Sequence, residues 1–208
     1  MTRNAEHNQR MRDERREKIL HHSLRLFATK GLYATKISDI AAEVQMSQGL
    51  LYHYFRSKEE IFTELIREAF EKMNTAAYML EELPLTPREK IRMAIVQLLR
   101  SIEESEDFAS TVLLNAQAGI SQATPAEAQS IIREESSIPY AVVERIMREG
   151  QKDGSIKQHD ARELSLVFWT TIKGLAMHKA VYGAAYKSPD VDILTSMFFT
   201  DTQNHEGE

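Results

Sequence analysis

Residues 35–60, TKISDIAAEVQMSQGLLYHYFRSKEE, restrict the fold more than any other stretch of this chain, because they space two short apolar stripes around a break. Thr35 offers a side-chain oxygen to cap a first helix, Asp39 falls in its first turn, and Ile37, Ile40, Ala41 and Val44 share one face. That face must be buried. After the break at Gln45 and Met46, Ser47 is a good N-cap for a second helix, whose first backbone N–H groups, at Gln48 and Gly49, point outward from its positive end. Leu51 and Phe55 turn this helix inward, and Tyr52, His53 and Tyr54 cluster beside them. Gly49 is costly inside a helix, which suits a place where something approaches the backbone closely. Ser57-Lys58-Glu59-Glu60 has the form of a capping box and opens a third helix.

Two helices joined by so short a turn, the second facing out, have the shape that lays a helix in a DNA major groove. Residue identity sharpens this. Ile19, Leu20, Leu24, Phe27, Lys30 and Gly31 precede the pair; Asp39, Ile40 and Ala41 lie in its first helix; Met46, Ser47, Gly49, Leu51, Tyr52, Phe55, Ser57, Lys58 and Glu59 follow. In that pattern, from Ile19 through Phe62, the chain resembles the DNA-binding domain of the TetR family of bacterial transcriptional regulators. The resemblance implies that Ser38, Gln48, Gly49 and Leu50 meet base edges, while Thr35, Lys36, Ser47, Tyr52, His53, Tyr54 and Lys58 grip phosphates. One departure stands out: the family usually has Gly in the turn where this chain has Gln45, and a non-Gly residue at positive φ costs about 1 kcal/mol there. A strained turn is expected.

A net charge of −5 over 208 residues would by itself oppose DNA binding. Its distribution removes the objection, since residues 1–60 hold 11 Lys or Arg against 8 Asp or Glu, leaving the remainder at −8. Arg3, Arg10, Arg12, Arg15 and Arg16 open the chain, where a flexible arm would reach phosphates or a minor groove, or simply remain solvated. With 42% apolar and 27% charged residues the chain reads as globular, and no apolar run approaches a membrane span. The charged start lacks the apolar core of a signal peptide, so a cytoplasmic location is expected. Zero cysteines exclude disulfides, thiolate-held zinc and thiol catalysis.

Helix punctuation continues beyond the motif. A first helix spans about Asp13 to Lys30 with Gly31 as its stop, and the helix begun after Ser57 continues to about Leu80. Thr86-Pro87, Thr124-Pro125 and Ser188-Pro189 each pair an N-cap with proline at the first helical position, and the first two complete a capping box with Glu89 and Glu127. Asp160 starts another helix three residues before Glu163. The spacing predicts helices over 87–104, 107–119, 125–150, 160–184 and 189–200, with Pro139 dividing or kinking the 125–150 segment near Ser136. No stretch alternates with period two. The expected fold is all-α, about nine helices: an N-terminal three-helix bundle with the helix-turn-helix (residues 1–57), joined to a larger C-terminal helical bundle (58–208) for ligand binding and dimerisation.

A single reading head has a small footprint, so two copies are expected to pair on a palindromic operator. The last two helices are apolar on more than one face, which nominates Leu164, Phe168, Leu175, Val181, Leu194 and Phe198 for the dimer contact. Ile172-Lys173-Gly174-Leu175-Ala176 also resembles the penultimate helix of TetR-family proteins, whose last two helices commonly form a four-helix dimer contact. The resemblance further implies a pocket for a small-molecule effector in the C-terminal bundle. Phe108, Leu113, Gln117, Tyr140, Glu144, Met147, Trp169 and Lys173 are candidate lining residues, although each reads more readily as ordinary packing, since a helical stripe of Met and aromatics is first of all core.

Catalytic and metal constellations are absent. His21 and His22 are adjacent and project about 100° apart, and the acidic run Glu103, Glu104, Glu106, Asp107 lacks the ligand spacing of a calcium loop. No cofactor, no metal and no enzyme activity are expected. The reading is a ligand-responsive DNA-binding regulator, most simply a repressor; the rival is an all-helical small-molecule-binding protein or enzyme without DNA binding.

Overall fold

A computed structural model of the chain describes residues 2–201, with side chains from Glu6 onward. The described residues form ten α-helices: α1 (Thr2–Ala34), α2 (Ile37–Glu43), α3 (Gln48–Tyr52), α4 (Lys58–Glu82), α5 (Pro87–Glu104), α6 (Glu106–Ile120), α7 (Ala126–Glu135), α8 (Ile138–Lys152), α9 (Ala161–Tyr182) and α10 (Val191–Ser196). A 3₁₀ turn, Gly183–Ala185, follows α9. The expected 125–150 helix is divided into α7 and α8 before Pro139, as the missing proline donor requires. The expected final helix is shorter, and beyond it Phe199 makes an isolated antiparallel bridge with Ile156.

Two compact units are present: one combines the residues up to Phe70 with Ala109–Glu134, the other Glu71–Phe108 with Glu135 onward. In the first, Ile19, Leu20, Leu24 and Phe27 of α1 are buried with Ile40, Ala41, Val44, Leu51, Phe55, Ile61, Phe62 and Ile66. Phe27 and Phe62 meet edge to face at 5.5 Å. Gly31 ends the regular part of α1 at φ 77, ψ 163, a conformation that favours glycine. Arg16 ties α1 to α4 by pairing with Glu64 and with Glu68 at 3.3 Å, while its guanidinium lies 5.3 Å over the Phe55 ring. Gln117 of α6 donates to the Ala28 carbonyl of α1 at 3.1 Å, and Arg67 of α4 pairs with Glu127 of α7.

The second unit packs Ile91, Ile95, Leu99 and Ile102 of α5 with Val142, Val143, Ile146 and Met147 of α8 and Leu164, Phe168, Trp169, Ile172 and Ala176 of α9. Thr86 and Glu89 form the expected capping box at α5 (2.9 and 3.3 Å), and Asp160 caps α9 through the amides of Arg162 and Glu163. Gly150 is required by close approach, since a Cβ there would stand 2.6 Å from Ile156 Cδ1.

Two expected caps are corrected. The Thr124 hydroxyl is buried and donates to the Ala118 carbonyl, leaving Glu127 to pair with Arg67, so no capping box forms at α7. Asp190 rather than Ser188 caps α10; the Ser188 amide instead donates to Glu103.

Candidate nucleic-acid interface

The reading surface is built by an inward pair and an outward set on the same short helix. Leu51 is fully buried and Phe55 nearly so, which fixes the rotation of α3 and its following turn. Gln48, Gly49, Leu50, Tyr52 and His53 are consequently exposed, with Tyr54 half-buried. Ser47 begins α3 as expected: its hydroxyl accepts the Leu50 amide at 3.2 Å. A side chain at Gly49 would meet nothing within 4 Å, so packing inside the protein does not demand glycine there. Gln45 holds the turn before α3 at φ 58, where glycine is ordinarily preferred.

Lys36 and Ser38 are exposed at the start of α2. Asp39 accepts the Lys36 amide at 3.2 Å and so caps the helix from within its first turn. Thr35, expected both as the cap and as a phosphate ligand, is turned inward: it is fully buried and its hydroxyl donates to the Gly31 carbonyl at 2.8 Å. Lys58 is corrected in the same sense. Its ammonium donates to the carbonyls of Leu32 (2.8 Å), Tyr33 (3.2 Å) and Thr35 (2.7 Å), spending its three N–H groups on the unsatisfied end of α1. The expected capping box at α4 is half formed, because Ser57 accepts the Glu60 amide while the Glu60 carboxylate accepts from Arg56.

The expected flexible arm is helical. α1 begins at Thr2, and Arg12 and Arg15 line an open cleft together with Leu50, His53 and Tyr54. The Arg3 side chain lies outside the described residues.

Among the nominated dimer residues, Leu164, Phe168, Leu194 and Phe198 are buried inside the second unit, Leu175 is half-buried, and Val181 is 76% exposed. The outward apolar residues are Leu166, Val167, Met177, Val181 and Tyr182 of α9, with Ile193 of α10 and Met197 just after it. Leu166, Thr170, Gly174, Met177 and Val181 recur at spacings of three and four, one stripe that helical periodicity makes visible once the core face is known.

The pocket candidates are distributed between the units: Leu113 and Gln117 belong to the first, and Phe108, Tyr140, Glu144, Met147, Trp169 and Lys173 to the second. Several are committed to packing. The Gln117 amide is held by Ala28, Met147 is fully buried, and the Trp169 indole donates to the Pro139 carbonyl at 3.1 Å. Glu144 pairs with Arg148, and Lys173 donates to the Tyr140 hydroxyl at 2.9 Å while lying 5.0 Å from its ring. Among the described residues no group of three or more His, Cys, Asp or Glu is arranged to hold a metal ion, and no helix is long and apolar enough to cross a membrane.

Residues 19–65 match the model of bacterial regulatory proteins of the tetR family. Over this N-terminal stretch the chain is similar to the tetR family. An HTH-type transcriptional regulator of Bacillus subtilis, YuxN, is 32% identical over 100 residues, covering 48% of this chain and 34% of that relative. The chain thus spans about a third of the length of that curated relative. The fold extends further than the sequence likeness. The ketosteroid regulator KstR2 of Mycobacterium tuberculosis superposes with a TM-score of 0.75 at 19% identity, over 90% of this chain and 96% of KstR2. AibR, solved with isovaleryl coenzyme A and operator DNA, superposes with a TM-score of 0.66 at 16% identity, over 89% of this chain and 98% of AibR. Beyond the TetR-type domain, the helices therefore follow the architecture of these regulators.

Proposed function

We propose that the chain is a dimeric, ligand-responsive DNA-binding transcriptional regulator, most simply a repressor released from a palindromic operator by a small molecule. The observation that carries this reading is the α3 surface: Gln48, Gly49, Leu50, Tyr52 and His53 face outward while Leu51 and Phe55 hold the helix in place. Gln48 is the specificity residue, since a glutamine amide pairs bidentately with adenine. Ser38, Gly49 and Leu50 complete the base-facing set, and Lys36, Ser47, Tyr52, His53 and Tyr54 contact the backbone. Residues 1–57 act as the reader and 58–208 as the effector-binding and dimerising part. The exposed stripe of α9, with Ile193 of α10 and Met197 just after it, meets its counterpart on a second copy, because so contiguous an apolar face is costly in water.

Induction requires an effector that binds the DNA-incompetent state more tightly than the competent one. AibR, solved with isovaleryl coenzyme A and operator DNA, is the precedent for a small molecule bound in this fold. α4 runs from the reader into the second unit and is the lever. A cytoplasmic location follows from the proposed role. The test is binding of the purified protein to duplex fragments selected from a random pool, measured at several salt concentrations. Selection of a palindromic sequence with a steep fall of affinity with salt is expected; salt-independent binding or no enrichment would overturn the reading.

A further inference from the structure

The first turns of α1 carry an asymmetry that the helix-turn-helix does not use. Asn8, Met11, Arg12 and Arg15 recur at spacings of three, one and three, so they share one helical face, and all four line an open cleft of about 520 Å³ whose other wall is Leu50, His53 and Tyr54. Glu6, Asp13 and Glu17 fall about half a turn away, together with Arg10, and Glu14 lies between the two faces. The helix therefore sorts its charges: two guanidinium groups face the reading helix, and no carboxylate lines the cleft. Among the described residues neither Arg12 nor Arg15 makes an ion pair, in contrast to Arg16 one residue further on, which is engaged by Glu64 and Glu68. Both are exposed and lie before Ile19, the first buried residue of the core.

We infer that this cleft is a seat for the DNA backbone, in which Arg12 and Arg15 hold phosphate groups of the strand flanking the groove entered by α3. The inference rests on the proposed DNA-binding role and deepens it. Guanidinium is the natural partner of a phosphodiester, through paired N–H donors, and His53 and Tyr54 add polar edges on the opposite wall. Because the arginines project from a helix and not from an extended arm, they are held at the depth of the backbone. Their contribution is to affinity and footprint rather than to base choice.

The test uses the full-length protein and a duplex fragment that it selects. Arg12→Gln/Arg15→Gln, which keeps good helix formers, is compared with wild type and with Arg10→Gln, whose side chain starts from the opposite face. Each phosphate contact contributes about 0.9 to the slope of log affinity against log salt. The double variant should therefore lose about 1.8 from that slope per reading head. Between 50 and 200 mM salt the wild type should weaken about twelvefold more than the variant for each head bound. Arg10→Gln should match wild type, and the loss should be equal across base substitutions in the flank. An unchanged slope in the double variant, with steep wild-type binding, overturns the backbone seat and leaves the α3 reading intact. A loss confined to one flanking base pair also overturns it, in favour of base reading by these arginines. Failure of the wild type to bind any duplex would overturn both. Far-UV circular dichroism of the variants separates a lost contact from a lost helix.

Discussion

Replacing Lys58 with methionine separates two roles that sequence alone leaves superimposed. The family pattern places this lysine against phosphate, whereas its ammonium is bonded at 2.8, 3.2 and 2.7 Å to three carbonyls at the end of α1. Lys58→Met keeps most of the aliphatic stem and removes the charge and all three donors. A hydrogen bond to a charged group contributes about 1.5–3 kcal/mol net, but Lys58 is only half-buried, so water re-enters and the losses do not sum. The expected destabilisation is about 2–3 kcal/mol, which at about 2–4 °C per kcal/mol for a chain of this size lowers the melting temperature by about 4–12 °C. Thermal unfolding at fixed protein concentration reads this directly. The salt slope of DNA binding, measured well below the transition, should stay at the wild-type value because the ammonium is not free to meet phosphate. A melting temperature within about 1 °C of wild type, combined with a slope lowered by about 1 per head, would refute the reasoning and return Lys58 to the DNA surface.

Three further outcomes are expected. Gln48→Ala should lose about 1–3 kcal/mol of discrimination at one operator position, read by competition between single-base variants; equal losses at every base would remove Gln48 from base recognition. Val181→Glu combined with Leu166→Glu should give a monomer in sedimentation at concentrations where wild type is a dimer, with little change in helicity, since both side chains are already exposed. The bidentate bond from Arg145 (2.6 and 2.7 Å) holds the Glu81 carboxyl below its ordinary value. A depressed carboxyl stabilises the fold above the ordinary carboxylate range and loses that contribution as pH falls through its folded value. Melting temperature measured from about pH 6 to 3 should therefore fall more steeply in wild type than in Arg145→Met; parallel curves would show that the pair is not coupled to folding.

Local signals are the ones legible in the sequence. Ser47 before α3, Thr86 with Glu89 before α5, Asp160 before α9, Gly31 after the regular part of α1 and the division before Pro139 all depend on a few adjacent residues, and each was recognisable from spacing and residue type. The apolar stripe that buries Ile40, Ala41, Val44 and Leu51 was legible for the same reason, and with it the outward side of α3. The resemblance points to Gln45 as a strained position through its place in the turn, and it stands at φ 58.

Whatever depended on distant partners was decided by the tertiary structure. A lysine in a motif looks alike whether it faces solvent or three carbonyls more than twenty residues away, and only packing turns Lys58 and Thr35 toward α1. α9 is apolar on several faces, so its sequence cannot say which are spent inside; burial of Leu164 and Phe168 leaves Leu166, Met177 and Val181 outside. The amino-terminal arginines were visible as charge, yet their meaning depends on a helix rotation that sets Arg12 and Arg15 beside His53 and Tyr54. Caps, turns and periodicity are short-range and are written into neighbouring residues, whereas the direction of a side chain that could satisfy either water or a distant backbone is settled only when the chain closes on itself.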